Sequence, residues 1–442
     1  MVVNFVFQEV VVLKVMIIGS GGREHILAWK LARSPLVDKL YAAPGNPGIW
    51  EIAARARIDV DNPRAFADFA EAEGIGLTVV GPENYLAQGL VDIFQDRGLR
   101  IFGPTMAAAE IETDKSFAKE FMARHAIPTA GFAAFDDLKL ARAYLAEHGA
   151  PIVIKACGLA AGKGVFVCLD TAEAEHALTE IMAHRIFGAA GDRIIFEAYL
   201  EGEEASLLVL TDGDAALPLL VAQDHKRVGD GDRGANTGGM GAYAPAGVLA
   251  PGELDKVMSR IVRPTIAGLA AEGRPYRGVL YVGLMMTAAG PKVIEYNCRF
   301  GDPEAQAVLP LLKTDLASLC LACSEGDLGS HQLTWLPGSA VCVVIASGGY
   351  PGNYTKGLPI EGLDTAAASP GAIVLHAGTA LRDGGVVTNG GRVLNIVGVG
   401  DDVATSRQLA YQAVERIGFP GMHYRKDIAW REMERTQPLP LP

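Results

Sequence analysis

The sequence contains few cysteines, six in 442 residues, and they lie scattered along the chain. Only Cys320 and Cys323 form a CxxC pair, with no second pair downstream, so neither a disulfide framework nor structural zinc is expected. Asp and Glu outnumber Lys and Arg, 51 to 39, and the net charge of -12 argues against general binding to nucleic acid. This composition favours a reduced, cytoplasmic protein.

Long uninterrupted apolar runs are also absent near the start of the chain. Asn4, Gln8, Glu9 and Lys14 interrupt the apolar stretches there, and no small-residue cleavage site follows. We therefore expect neither a signal peptide nor a membrane span. Residues 1–13 contain no turn or cap that ties them to the first predicted strand, and we interpret them as an N-terminal extension.

With 50% apolar residues, a chain of 442 residues can bury the cores of two to four domains. An N-terminal α/β domain with an open parallel sheet is predicted over 14–112, because three apolar runs each end in a glycine or proline turn. These runs are Lys14 to Ile18, Leu77 to Val80 and Arg100 to Phe102. A charged helix and alternating strands predict a second domain over 113–335, and a smaller α+β domain is predicted over 336–442.

Glycine turns follow the first strand and recur near residue 45. The segment GSGGREH, residues 19–25, places free backbone N–H groups at a helix start, where a phosphate is favoured. It does not match the dinucleotide fingerprint GxGxxG, because Glu24 stands where the last glycine is required. A tight turn without a ligand remains an alternative, here and at PGNPG, residues 44–48.

A second glycine-rich segment, KACGLAAGKGV, begins with Lys155. Its composition predicts a strand that carries the lysine, then a flexible loop able to close over a nucleotide. It is not a Walker loop, which needs GxxxxGK followed by Ser or Thr. A Gly-Lys-Gly turn alone is more often structural, but Lys115 upstream could converge with Lys155 on one triphosphate.

The strongest pattern is EYNCRFGDPE, residues 295–304. In a strand, Glu295, Asn297 and Arg299 would share one face. Carboxylate and amide oxygens suit Mg²⁺ beside phosphates, and an arginine can stabilise charge on a phosphoryl group in transfer. A structural role stays open, although burying three polar side chains without partners would be costly.

Two further polar segments are candidates for ligand contacts. In EAYLEGEE, residues 197–204, Glu197 and Glu204 could accept hydrogen bonds from adenosine, whereas Glu201 and Glu203 fit a solvated face. The charged, glycine-rich stretch from Gln223 to Gly241 predicts a substrate loop or lid.

Taken together, these segments closely resemble the glycinamide ribonucleotide synthetase family over residues 14–433. Matching stretches include VMIIGSGGREHILAWKL, IKACGLAAGKGV, DGDRGANTGGMGAYAP and EYNCRFGDPEAQ. The resemblance implies a domain like the biotin carboxylase N-domain, an ATP-grasp domain and a small C-terminal domain. It implies a ligase that uses ATP and Mg²⁺ (or Mn²⁺), activates glycine as glycyl phosphate and transfers it to 5-phosphoribosylamine. We expect a monomer with these small-molecule substrates, and neither nucleic acid nor membrane as a partner.

The resemblance also implies a role for individual positions of this chain. ATP would contact Lys115, Lys155, Gly162, Lys163, Gly164, Glu197, Leu200 and Glu204. The metal ion would be held by Glu295 and Asn297. The substrates would contact Gly21, Gly22, Asn46, Gly48, Asn236, Thr237 and Gly238, and the reacting centre would be lined by Asp224, Arg299 and Asp302.

The chain departs from the family pattern in three places. Cys157 replaces the acid of KADGLAAGKGV, Asn84 and Tyr85 alter GPEAPL, and IETDKSFAK stands where IEGSKAFAK is usual. Two other functions stay open. One is a different ATP-grasp enzyme of purine metabolism, such as a formate-dependent transformylase or a carboxyaminoimidazole ribonucleotide synthetase. The other is a catalytically inactive nucleotide-binding protein, which the intact Glu295, Asn297 and Arg299 oppose.

Overall fold

The computed structural model describes residues 12–160 and 163–436. Its first region is a five-stranded parallel sheet with the order β3-β2-β1-β4-β5. The strands are β1 (Leu13–Gly19), β2 (Val37–Pro44), β3 (Ala54–Arg55), β4 (Leu77–Val80) and β5 (Ile101–Phe102). The helices are α1 (Gly22–Leu31), α2 (Pro63–Glu73), α3 (Glu83–Ala87), α4 (Leu90–Asp96) and α5 (Met106–Thr113). The predicted open parallel sheet is confirmed, and Leu13, assigned to the extension, belongs to β1.

The alternation of side chains along β1 explains why this sheet is covered on both faces. Val15 and Ile17 lie in one hydrophobic core, whereas Met16 and Ile18 lie in a second one. Successive side chains of a strand point to opposite faces, and parallel sheets are usually buried on both.

The next region contains a four-stranded antiparallel sheet with the order β6-β9-β7-β8. In chain order its elements are α6 (Lys115–Arg124), β6 (Phe132–Phe135), α7 (Leu138–His148), β7 (Ile152–Ala156), β8 (Val165–Cys168), α8 (Thr171–Leu178) and β9 (Ile194–Ala198). Helix α6 begins at Lys115 because the Asp114 carboxylate accepts hydrogen bonds from the backbone N–H groups of Ser116 and Phe117.

A second four-stranded antiparallel sheet, with the order β11-β10-β16-β17, follows in the chain. The elements from here to residue 325 are β10 (Glu203–Thr211), β11 (Ala216–Pro218), β12 (Gln223–Asp224), β13 (Arg227–Gly229), β14 (Arg233–Asn236), β15 (Gly241–Ala244), α9 (Glu253–Val257), α10 (Arg263–Ala271), β16 (Gly278–Thr287), β17 (Gly290–Asn297), α11 (Glu304–Val308) and α12 (Leu316–Glu325).

The C-terminal region is built around a five-stranded antiparallel sheet with the order β12-β15-β18-β22-β19. Its own elements are β18 (Ser339–Ala346), α13 (Leu363–Ala367), β19 (Ala372–His376), β20 (Thr379–Arg382), β21 (Gly385–Thr388), β22 (Arg392–Gly400), α14 (Val403–Val414) and α15 (Trp430–Thr436). Strands β12 and β15 come from residues 223–244, so a segment far upstream completes this sheet. The domain bounds given above remain predictions.

The stretch from Gln223 to Gly241 is more ordered than the predicted loop. Strands β13 and β14 pair as an antiparallel hairpin, residues 227–236, which is called the hairpin below. Backbone pairing with the C-terminal sheet at both of its ends gives this stretch a fixed place in the fold. Across the described residues, every helix falls short of the length and apolar character that crossing a membrane requires.

Candidate active site

A cavity of about 560 Å³ is lined by strands of both four-stranded sheets and by residues of the N-terminal and C-terminal regions. It brings together predicted site residues that lie far apart in the sequence: Lys115, Lys155, Gly164, Glu197, Leu200, Glu204, Asp224, Asn236, Thr237, Gly238, Glu295, Asn297, Arg299 and Asp302.

Strand β17 supplies Glu295 and Asn297 to this cavity, and Arg299 follows just beyond its end. The Arg299 Nη2 atom donates to Oδ1 of Asn297 at 3.2 Å. Burial opposes charge on the Glu295 carboxyl, but the surrounding cations, first of all Lys226, lower its pKa to about 2. A charged carboxylate beside an amide oxygen is a donor set that suits a magnesium ion.

Lys226 was missed by sequence reasoning, although it lies in the motif QDHKR. Its Nζ atom lies 2.9 Å from Oε2 of Glu204 and 3.4 Å from Oε1 of Glu295. Burial alone would lower the pKa of Lys226, yet these carboxylates raise it well above the ordinary value. The ammonium group of Lys226 therefore neutralises the carboxylates on this wall of the cavity, and in this structure it is the ion-pair partner of Glu204.

Asp224 lies buried on the same wall. Burial raises the pKa of Asp224 well above its ordinary value. The positive charge of Lys226 opposes this increase, whereas the negative charge of Glu304 adds to it. The Glu304 carboxylate is itself fixed, because Oε1 accepts hydrogen bonds from Tyr281 Oη at 2.9 Å and Ser206 Oγ at 3.1 Å. A carboxyl in such a setting is suited to accept a proton.

Glu197 is the shared partner of two lysines. Its Oε1 atom lies 2.8 Å from Nζ of Lys155, and its Oε2 atom lies 2.9 Å from Nζ of Lys119. Burial opposes the charge on Glu197, but both lysines lower its pKa. The carboxylate expected to meet adenosine is thus already paired, and its effect on a nucleotide would be through the lysines it positions.

Lys119 is the second residue that sequence reasoning missed, and burial lowers its pKa to about 8. Its position four residues after Lys115 on one helix face was the available signal. Lys115 Nζ donates to the backbone oxygen of Gly158 at 3.1 Å, and burial lowers the pKa of Lys115.

Two carboxylates of the N-terminal region hold Arg299. Its Nε donates to Oε2 of Glu83 at 3.1 Å, and its Nη2 lies 3.3 Å from Oε1 of Glu112. Burial opposes charge on Glu83, but Arg299 and then Arg23 lower its pKa to about 2. Burial raises the pKa of Glu112 to about 7, although the positive charge of Arg299 acts to lower it.

Arg392 links two predicted site residues from the C-terminal side. Its Nη1 donates to the backbone oxygens of Gly238 at 2.6 Å and Asp302 at 2.7 Å, and its Nη2 lies 3.2 Å from Oδ2 of Asp302. Burial opposes charge on Asp302, but Arg392 lowers its pKa. Arg392 lies in the segment NGGRVLNIV, residues 389–397, and sequence reasoning did not assign it to the site.

Several residues predicted to bind ligands do not line the cavity: Gly21, Gly22, Asn46, Gly48 and Lys163. Asn46 is buried, and its Nδ2 donates to the backbone oxygens of Ser20 and His376 at 2.8 and 2.9 Å. Lys163 is directed away, because its Nζ donates to the backbone oxygen of Pro351 at 3.1 Å. Gly162 lies outside the described residues.

The glycines of this group lie where a side chain would not fit. A Cβ atom on Gly22 would lie 2.1 Å from Nδ2 of Asn395, and one on Gly48 would lie 2.4 Å from Cε1 of His25. Gly21 lies closest to the cavity, since its Cβ would be 3.7 Å from Oδ2 of Asp302. Close packing is thus one reason for these glycines, independent of any ligand.

The residues at which the chain departs from the family pattern do not line the cavity. Cys157 is buried, and burial together with the charge of Asp114 raises the pKa of its thiol to about 12. It is therefore a neutral thiol at physiological pH. Tyr85 packs edge-on against Phe66, with 5.2 Å between ring centroids, whereas Asn84 is exposed.

Comparison with known proteins agrees with this architecture. The family models for phosphoribosylglycinamide synthetase match residues 13–112 (N domain), 113–305 (ATP-grasp (A) domain) and 340–431 (C domain). The phosphoribosylamine-glycine ligase of Pseudomonas aeruginosa is 52% identical over 96% of this chain and 99% of the relative, and that of Escherichia coli K12 is 51% identical over 96% and 100%. The crystal structure of phosphoribosylamine-glycine ligase from Thermotoga maritima covers 94% of this chain and 100% of its own, with 32% identity and a TM-score of 0.81. The chain belongs to the phosphoribosylglycinamide synthetase family.

Proposed function

We propose that this chain joins glycine to 5-phosphoribosylamine at the expense of ATP, giving glycinamide ribonucleotide, ADP and phosphate in purine synthesis. The family supports this reaction, as do relatives about half identical over nearly the whole chain. The observation that carries it is one cavity in which the oxygen donors Glu295 and Asn297 lie beside the cations Lys115, Lys155 and Arg299.

The reaction has two steps. A carboxylate oxygen of glycine attacks the γ-phosphorus of ATP, the bond to the β–γ bridging oxygen breaks, and ADP leaves. The amine of 5-phosphoribosylamine then attacks the acyl carbon of glycyl phosphate, phosphate leaves with the bonding electrons, and the nitrogen loses a proton. A bound Mg²⁺ or Mn²⁺ ion would neutralise phosphate charge in the first step.

For the nucleotide, Lys115 and Lys155 bind phosphates, and the backbone at Leu200 meets the adenine ring. Glu204 accepts hydrogen bonds from the ribose hydroxyls once its ion pair with Lys226 has opened. Glu197 positions Lys155. Gly164 belongs to the part of the glycine-rich loop that lines the cavity, whereas Lys163 and Gly162, the latter outside the described residues, are assigned to ATP by the resemblance alone.

For the reacting groups, Glu295 and Asn297 hold the metal ion and Arg299 stabilises charge on the transferred phosphoryl group. Asp224 accepts the proton released by the attacking amine. Asp302 lines the reacting centre beside Arg392.

For the other substrates, Asn236, Thr237 and Gly238 contact the bound substrate. The backbone near Gly21, Gly22, Asn46 and Gly48 receives 5-phosphoribosylamine. A monomeric enzyme of the cytoplasm is the form we propose.

The test follows phosphate release with MgATP, glycine and 5-phosphoribosylamine, leaving out each in turn. We expect release to require all three, and product analysis to give glycinamide ribonucleotide. Replacement of glycine by formate or bicarbonate distinguishes the alternative enzymes. Turnover with either of these, or none with glycine, would overturn the proposal.

A further inference from the structure

The hairpin is attached to the C-terminal segment 423–431 along its first strand and at its tip. At the tip, the backbone N–H of Gly231 donates to Oδ2 of Asp427 at 2.8 Å, and the backbone N–H of Lys426 donates to Oδ1 of Asp230 at 2.8 Å. On the first strand, Nε2 of His423 lies 2.8 Å from the backbone oxygen of Val228.

Arg425 is the centre of this attachment, and its side chain is fully buried. Its Nη1 donates to Oδ1 of Asp232 at 2.8 Å and to the backbone oxygen of Arg227 at 3.2 Å. Its Nε and Nη2 donate to the two carboxylate oxygens of Asp427, each at 2.7 Å. A buried arginine in a two-point pair with a carboxylate has a defined orientation, so the hairpin is held in one place.

The other end of the hairpin is also held by C-terminal residues. Strand β14 ends at Asn236, and the chain continues through Thr237 to Gly238. Both backbone groups of Gly238 are bonded: its N–H donates to Oη of Tyr350 at 3.1 Å, and its oxygen accepts from Arg392. Asn236, Thr237 and Gly238 all line the cavity, whereas the lining includes neither Arg425 nor Asp427.

We propose that Arg425 and Asp427 are positioning residues of the active site, which fix the hairpin so that residues 236–238 face bound glycine. This inference rests on the proposed function. It predicts that weakening the attachment loosens the hairpin and raises KM for glycine, while the ATP-binding lysines on α6 and β7 stay in place. Positioning by a rigid support is worth large factors in rate, because small displacements of a substrate-binding group are costly.

The test uses two variants, each of which leaves Arg425 at least one carboxylate partner. Asp427→Asn keeps an acceptor but removes the charge that pairs with Arg425. Asp230→Ala removes the acceptor of the Lys426 backbone N–H, at a residue that does not line the cavity. Asp402→Ala is the control, since it removes the N-cap of α14, where Asp402 accepts from the backbone N–H of Thr405 at 2.7 Å, and so weakens the same region away from the hairpin.

Two measurements are made on each full-length variant. Hydrogen exchange of peptides covering residues 227–236 needs no substrate, so it tests the attachment even if the proposed reaction is wrong. We expect exchange there to quicken by about tenfold in both variants, with KM for glycine raised about fivefold and KM for ATP changed by less than about twofold. The control should change none of these at a temperature where it is folded.

Unchanged exchange in both variants would overturn the attachment. Faster exchange with unchanged glycine kinetics would overturn the positioning role. Failure of the parent enzyme to use glycine would instead overturn the proposed function.

Discussion

The guanidinium of Arg299 and the carboxylate of Glu83 form an ion pair, with 3.1 Å between Nε and Oε2. The two residues come from different regions of the chain. Glu83 begins α3, which follows β4 of the parallel sheet, and Arg299 follows β17. The pair therefore links the N-terminal region to the strand end that carries Glu295 and Asn297, the proposed metal donors.

Glu83→Gln should lower kcat by about tenfold with little change in KM for ATP, because Arg299 loses a charged partner that orients it. Steady-state kinetics with ATP and glycine varied in turn provide the measurement. Asn84→Ala, at the exposed neighbouring residue, is the control and should behave like the parent. Equal kcat in Glu83→Gln and the parent would show that Glu112 alone is sufficient to hold the arginine.

Glu295→Gln and Asn297→Ala should each reduce kcat by more than about 100-fold without unfolding the protein, because the first removes the negative charge of one proposed metal donor and the second removes the oxygen of the other. ADP formation and circular dichroism test this expectation. Glu201→Gln, a change to an exposed carboxylate outside the cavity, is the matched control. Unchanged kcat in both site variants would contradict the metal assignment.

Lys155→Ala should weaken ATP binding much more than glycine binding, because the ammonium is proposed to neutralise phosphate charge in a partly closed site. In this variant Glu197 would lose its ion pair with Lys155 and keep the one with Lys119. Nucleotide titration of this variant and of Lys139→Ala, at an exposed position of α7, measures the effect. Equal ATP affinity in all three proteins would exclude the role of Lys155.

Cys157→Asp should lower the melting temperature, because a carboxyl would be buried close to Asp114. KM for ATP should fall modestly, within about tenfold, if the carboxylate orders the loop as in the family, and glycine dependence should not change. Cys157→Ser separates the effect of charge from that of losing the thiol. A large loss of ATP affinity in Cys157→Asp would mean that the loop has adapted to a neutral side chain.

Acid should destabilise the protein through His25. Burial and the nearby His376 lower the pKa of His25 to about 3, and its Nδ1 accepts a hydrogen bond from the backbone N–H of His376 at 2.7 Å. Below pH 6.5 the unfolded chain binds a proton at this histidine that the folded chain does not. The free energy of unfolding therefore decreases by about 1.4 kcal/mol for each unit by which the pH is lowered.

His25→Asn retains an acceptor but cannot titrate, so its free energy of unfolding should depend less steeply on pH between 6.5 and 4. Denaturant unfolding at several pH values, compared between this variant and the parent, measures the difference. Parallel curves would show that His25 does not remain neutral in the folded protein.

The sequence predicted the parts of the site that depend on short-range order. Glu295 and Asn297 could be predicted to share a face because they stand two residues apart at the end of β17, beyond the irregularity at Ile294. Lys155 could be placed because an apolar strand leads directly into a glycine-rich loop. Both inferences need only neighbouring residues, and the parallel sheet followed from strands that end in glycine turns.

The parts that were missed depend on contacts across the chain. Nothing near Lys226 indicates that it pairs with Glu204 and Glu295, and nothing near Arg392 indicates that it reaches Gly238. The predicted loop from Gln223 to Gly241 proved to be ordered for the same reason, because its partners lie at the far end of the sequence. The resemblance assigned Asn46 to a substrate, and the turn motif around it does not indicate that its amide donates to the backbone oxygens of Ser20 and His376.

The shared C-terminal sheet has a consequence for how the chain is made. Strands β12 and β15 leave the ribosome well before β18, which begins only at Ser339 and supplies the partner edge of β15. Until then β15 presents unpaired backbone N–H and C=O groups, an open edge that can pair with another nascent chain. Arg392 and Arg431 also line the cavity, so its lining is complete only when nearly all of the sequence has emerged.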